Sequence, residues 1–153
     1  MGSDVIPLWI ADIAPGEPTL LSARYPPIMT RVLVVADEAW ARNDVHAALT
    51  SPTFELVDHD DPATAAGTAI DREVDAVVVD LQVAAMGGMA VARSVRESAT
   101  VHGSESIPVV LLLDRAADEF LAGRSGAAGW VVKPFTAGQL RGAVEGALAQ
   151  PVE

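Results

Sequence analysis

The chain of 153 residues has no cysteine, a single lysine, and few aromatic residues: one Tyr, three Phe and three Trp. Without cysteine there is no disulfide framework and no thiolate metal site, which is compatible with a reducing compartment. Positive charge is scarce, with 10 Lys and Arg against 21 Asp and Glu and a net charge of −11. Such a surface repels phosphates, which argues against nucleic acid and anionic membrane as partners. No apolar run approaches the roughly 20 residues that a membrane span needs. The amino terminus lacks the basic start of a secretory signal and carries Asp4 and Asp12 instead. These absences point to a soluble, cytoplasmic protein. The length fits one domain, and a 50% hydrophobic content is enough to bury a core.

What is present is organised around strand ends. Lys133, the only lysine, closes the run Trp130-Val131-Val132 and precedes Pro134 and Phe135. Three other apolar runs also end on a charge: Val32 to Val35 reaches Asp37, Ala76 to Val79 reaches Asp80, and Val109 to Leu113 reaches Asp114. Four buried strands that stop at ionisable groups point to one site at one edge of a sheet.

Residues 1–28 differ from the rest. Pro7, Pro15, Pro18, Pro26 and Pro27 punctuate them, and no helical or strand period lasts. They read as a disordered arm, or as the product of a start codon placed too far upstream. The other reading is a docking arm that uses Val5, Ile6, Leu8, Trp9 and Ile10. From Met29 onward, apolar runs alternate with helical stretches. Strands are expected at Thr30 to Val35, Phe54 to Val57, Ala76 to Val79, Val109 to Leu113 and Gly129 to Val132. Helices are expected at Ala39–Leu49, Pro62–Arg72, Gly88–Glu97, Arg115–Ala122 and Ala137–Ala149, with a polar loop through Gly103, Ser104 and Ser106. Strands alternating with helices imply right-handed crossovers and a parallel sheet covered on both faces. Ligands of such sheets bind beyond the carboxyl ends of the strands, where Asp37, Asp80, Asp114 and Lys133 lie.

The chemistry of that edge is narrow. Asp37, Glu38 and Asp80 bring carboxylates together, which repel unless a cation or a proton joins them. Oxygen ligands alone favour a hard ion, and Mg²⁺ is held through one or two carboxylates with waters and phosphate oxygens. An ammonium beside them can pair with a carboxylate or with a phosphoryl oxygen. Metal, carboxylate and ammonium together suit phosphoryl transfer.

Residues 30–150 resemble the receiver domain of two-component response regulators. The segments that carry the resemblance are Val32 to Glu38, Asp80 to Gly88, Ile107 to Leu113 and Gly126 to Phe135. It implies a flavodoxin-like, doubly wound five-stranded parallel sheet of order 2-1-3-4-5 with helices on both faces. It also implies a domain over 29–150 with a tail at 151–153. By the same resemblance Asp80 is the phosphoacceptor, Asp37 a direct Mg²⁺ ligand, and the backbone carbonyl of Gln82 a third ligand. Lys133 contacts the phosphoryl group, the Lys133–Pro134 bond is cis, and Trp130 takes the aromatic switch position.

Several positions depart from the family pattern. The first of two adjacent acids after strand one is Ala36, which removes one carboxylate and weakens Mg²⁺; Glu38 compensates in part. The Ser or Thr that ends strand four is Leu113, which cannot donate to a phosphoryl oxygen. The next position, small in the family, is Asp114, read either as a cap of the fourth helix or as a built-in charge that mimics or blocks phosphorylation. The Met-Pro pair after the acceptor is replaced by Val83-Ala84. The three histidines, His46, His59 and His102, show no metal-ligand spacing, and Trp40, Trp130 and Phe135 read as packing or interface residues. The expectation is an atypical, stand-alone, non-enzymatic response regulator. It takes phosphate on Asp80 from a sensor histidine kinase or other phosphodonor and signals through the face formed by helix four, strand five and helix five, with a homodimer kept open. The alternative is a phosphate-independent pseudo-receiver that serves as an interaction module.

Overall fold

The computed structural model describes residues 29–82, 87–103 and 106–149. The arm at 1–28, the Val83-Ala84 pair, Ser104 and the tail at 151–153 lie outside the described residues. Five strands, β1 (Thr30–Val35), β2 (Phe54–His59), β3 (Ala76–Asp80), β4 (Val109–Leu113) and β5 (Gly129–Val132), form one parallel sheet of order β2-β1-β3-β4-β5. This is the expected order. β1, β3 and β4 are the inner strands, and β3 and β4 are buried from end to end. Their continuous Val and Leu runs follow from helices on both faces, which leave no polar side for alternation to serve. The edge strands β2 and β5 are only half-buried for most of their length.

Helices α1 (Ala39–Leu49) and α5 (Ala137–Leu148) cover one face, packing Val45, Leu49, Leu140 and Val144 on Val32, Val34, Val78 and Leu112. On α1 the buried residues Ala41, Val45, Ala48 and Leu49 recur at helical spacing. Helices α2 (Ala65–Asp71), α3 (Gly88–Val101) and α4 (Glu119–Arg124) cover the other face, where Val91 and Val95 meet Val77, Val79 and Leu111. Each fully buried Val or Leu here contributes roughly 1.5–3 kcal/mol of transfer free energy.

Helix boundaries shift from expectation for local reasons. The turn Pro62–Thr64 is a 3₁₀ segment rather than the first turn of α2, with the Asp61 side chain accepting from the Ala63 amide at 3.0 Å. α3 runs past Glu97 to Val101. The stretch after β4 opens with a 3₁₀ turn, Ala116–Asp118, and α4 starts only at Glu119. α5 opens on a capping box: Thr136 Oγ1 accepts from the Gln139 amide at 3.1 Å, and Gln139 Oε1 accepts from the Thr136 amide at 2.8 Å. Among the described residues no helix is long and apolar enough to cross a membrane.

Candidate functional site at the carboxyl edge of the sheet

In the parallel register Val35 lies beside Val79 and Asp80 beside Leu112. Val132 lies beside Leu113, so all four strand ends reach one edge together. Asp80 closes β3 and is 1% exposed. Its Oδ1 accepts two hydrogen bonds, from the Gln82 amide at 3.1 Å and from Lys133 Nζ at 2.8 Å. Gly88 is required beside it: a Cβ there would stand 2.8 Å from Leu81 Cα and 2.9 Å from the Asp80 carbonyl oxygen. Only glycine lets α3 begin this close to the end of β3.

Lys133 is placed by backbone before its side chain acts. Its amide donates to the Leu113 carbonyl at 2.7 Å, and the Lys133–Pro134 bond is cis. The ammonium then reaches both Asp80 and Asp114, whose Oδ1 lies 2.9 Å from Nζ. Of three Nζ–H donors, two are therefore directed at carboxylates. The ring of Trp40, in the first turn of α1, lies 5.0 Å from Nζ to its centroid, within cation–π range. Burial works against the ammonium. The hydrogen bonds and charges of Asp80 and Asp114 outweigh it, so the Lys133 pKa stands above the ordinary lysine value.

Asp114 therefore does not make the helix cap that was one of its two readings. The N-cap of the turn after β4 is Arg115, no side-chain cap forms there, and the Asp114 carboxylate goes to Lys133 instead. Next to it, Arg115 pairs with Asp118 at 2.8 Å and holds that carboxyl below its ordinary range. Two ion pairs thus fix the start and the end of the loop from Asp114 to Asp118.

Leu113 is fully buried in the cluster that contains Val79, Leu111 and, at its margin, Trp130. Its aliphatic side chain closes β4 and offers no hydrogen-bond donor. The Trp130 ring reaches α4: a Cβ on Gly123 would stand 3.5 Å from it, in ordinary contact. Asp37 and Glu38 are exposed at the end of β1, Ala36 is buried, and Arg42 Nη1 donates to the Ala36 carbonyl at 2.8 Å. The donors available to a metal are all oxygens: the carboxylates of Asp37, Asp80 and Glu38 and the Gln82 carbonyl. Among the described residues no three Asp, Glu, His or Cys side chains gather as a metal-holding group. The set suits a hard cation held by two carboxylates and a carbonyl, with water completing its shell.

Sequence reasoning missed two contacts. Trp40, expected to serve packing or an interface, lies over the site lysine; its place in the first turn after β1, at the edge shared by all strand ends, was the available signal. Arg42 was not singled out, and nothing in the sequence marks it.

Residues 32–145 match the response regulator receiver domain family. The transcriptional regulatory protein PrrA of Mycobacterium bovis, like that of Mycobacterium tuberculosis, is 30% identical over 112 residues, 72% of this chain and 46% of that protein. The chain thus spans about half the length of these relatives. The receiver domain of the response regulator NarL from Mycobacterium tuberculosis superposes with a TM-score of 0.67 at 26% identity, covering 81% of this chain and 100% of that one. The receiver domain of the sensor histidine kinase PA1611 from Pseudomonas aeruginosa has a TM-score of 0.65 at 18% identity, covering 80% of this chain and 99% of that one. It shares the fold and was solved with a magnesium ion in its active-site cleft.

Proposed function

This chain belongs to the response regulator receiver domain family, and from that premise we propose that it takes a phosphoryl group on Asp80 and signals through protein contacts. The observation that carries the proposal is the buried Asp80 carboxylate held by Lys133 at 2.8 Å at the common edge of the strands. A carboxylate oxygen of Asp80 attacks the phosphorus of a phosphodonor, the phosphohistidine of a sensor kinase. A P–O bond forms, the P–N bond to the imidazole breaks, and the imidazole leaves. Lys133 orients Asp80 beforehand and afterwards neutralises a phosphoryl oxygen. Asp37, Asp80 and the Gln82 carbonyl, assisted by Glu38, would hold a Mg²⁺, which when bound would supply charge neutralisation for the transferring group.

Asp114 shapes this chemistry. Its carboxylate already pairs with Lys133 at 2.9 Å, so a phosphoryl group and Asp114 compete for the charge of one ammonium. With Leu113 in place of a hydroxyl donor, the signal is displacement of Asp114 by like-charge repulsion, which releases the loop that leads into α4. Output then passes through α4, β5 and α5, a face on which Phe120 and Leu121 are exposed and which Trp130 joins to the core.

The Asp114–Lys133 pair also favours a second reading, a phosphate-independent interaction module in which Asp114 stands permanently for the missing anion. Incubation with acetyl phosphate and Mg²⁺, followed by intact-mass measurement beside Asp80→Asn, separates the two. An adduct of one phosphoryl group in the wild-type protein and none in the variant supports the switch. No adduct at saturating donor and metal sinks it in favour of the module.

A further inference from the structure

The scarce positive charge is not spread evenly. Arg31 bonds Glu55 and the Arg72 carbonyl, Arg42 the Ala36 carbonyl, Arg115 Asp118, and Arg141 the Ala48 carbonyl. Arg93, Arg96 and Arg124 make no ion pair among the described residues, and all three line one open groove of about 520 Å³ between α3 and the end of α4. Glu97 is the only acid on its walls, and Val101, 80% exposed, is its most open apolar residue.

Arg96 is seated rather than loose. A Cβ on Gly126, whose φ is +91°, would stand 2.5 Å from Arg96 Nη1, so this guanidinium lies against glycine backbone ahead of β5. Arg124 lies 5.7 Å from the centroid of the Phe120 ring, which is 69% exposed. The result is a cationic groove with apolar margins on a protein of net charge −11. Acidic charge elsewhere on the surface repels an acidic, partly apolar segment, whereas three arginines side by side attract it to this groove.

We propose that the groove binds the amino-terminal segment of this same chain, residues 1–18. That stretch carries Asp4, Asp12 and Glu17 with no Lys or Arg, interleaved with Ile6, Leu8, Trp9, Ile10 and Ile13. Its charge and its apolar residues are the complement of the groove. Position agrees: β1 starts at Thr30 on the amino edge of the sheet, and α3 and α4, which run antiparallel to the strands, also end at that edge. β1 and β4 are separated by β3 alone, a lateral step of about 10 Å. The 11 residues between Pro18 and Thr30 reach up to about 36 Å when extended. The groove lies at the edge opposite Asp80, so occupancy leaves the acceptor site open and ties α3 to α4 from below.

The test uses the full chain, whose lack of cysteine makes single labels simple. A nitroxide on Ile10→Cys should broaden the amide resonances of residues 93–101 and 124–126 in the same molecule, and a label on Ser22→Cys should broaden them less. Arg93→Glu with Arg96→Glu, both exposed, should abolish the effect while the dispersed spectrum of the fold persists. Adding Asp4→Arg and Asp12→Arg should restore it, and about 1 M salt, where the screening length falls to about 3 Å, should weaken it. No broadening of these residues, or broadening that survives the charge reversal, overturns the proposal. So does broadening seen only when spin-labelled and isotope-labelled chains are mixed, which would assign the groove to a second copy.

Discussion

At the scale of single residues, one ammonium and two carboxylates set the behaviour of the site. Lys133 and Asp80 are both nearly shielded from water, whereas the Asp114 side chain is 36% exposed. Removing a partner from a buried pair leaves a charge unpaired, so Lys133→Ala should lower unfolding free energy by about 3–5 kcal/mol in urea. Lys133→Ala with Asp80→Asn should be less damaging than Lys133→Ala alone, because the orphaned charge is gone. Asp114 behaves differently, since its loss leaves Lys133 still paired. Asp114→Ala should raise the initial rate of phosphorylation by acetyl phosphate about fivefold, the equivalent of roughly 1 kcal/mol for a part-exposed ion pair. An unchanged rate would mean that Asp114 does not compete for the ammonium.

Among the elements, the start of α3 and the loop before α4 govern how the site is framed. Gly88→Ala forces a Cβ to within 3 Å of backbone on either side of Asp80 and Leu81. Because backbone cannot swing aside as a long side chain can, the substitution should cost about 1–3 kcal/mol. It should also shift the amide resonance of Gln82, which donates to Asp80; a wild-type stability would show that α3 can start elsewhere. Four of the five strands were legible in the sequence because each is an apolar run that leads to a charged residue, and for β3 and β4 burial on both faces removes the ambiguity of alternation. Helix ends were less legible. Arg115 to Ala122 reads as helical by composition, yet the Arg115–Asp118 pair closes a 3₁₀ turn first, and side-chain pairing of this kind competes locally with the α-helical ladder.

For the whole molecule, long-range contacts decide what sequence spacing could not. That Asp37, Asp80, Asp114 and Lys133 share an edge followed from strand order. That Asp114 turns to Lys133 rather than to the helix ahead of it depends on β4 pairing with β5, and no local pattern records it. The gathering of Arg93, Arg96 and Arg124 likewise needs two helices side by side. Stability against pH follows from the same charges. A lysine raised above its ordinary value of 10.5 in the folded state stabilises fully below that value, and the contribution is lost as pH rises through the native pKa. Wild-type protein should therefore lose more stability above pH 10.5 than Lys133→Met does. Asp118, held below its ordinary 3.8, contributes above that value and is lost as pH falls beneath it. Equal alkaline limbs for the two proteins would contradict the role given to Lys133.

The most direct measurement is to locate the phosphoryl group itself. Protein treated with acetyl phosphate and Mg²⁺ would be reduced with borohydride, which converts an acyl phosphate to the corresponding alcohol, and then mapped by peptide mass spectrometry. The account predicts homoserine at position 80, none elsewhere, and none when Asp80 is replaced by Asn. Reduction at another carboxylate, or at none, would contradict it.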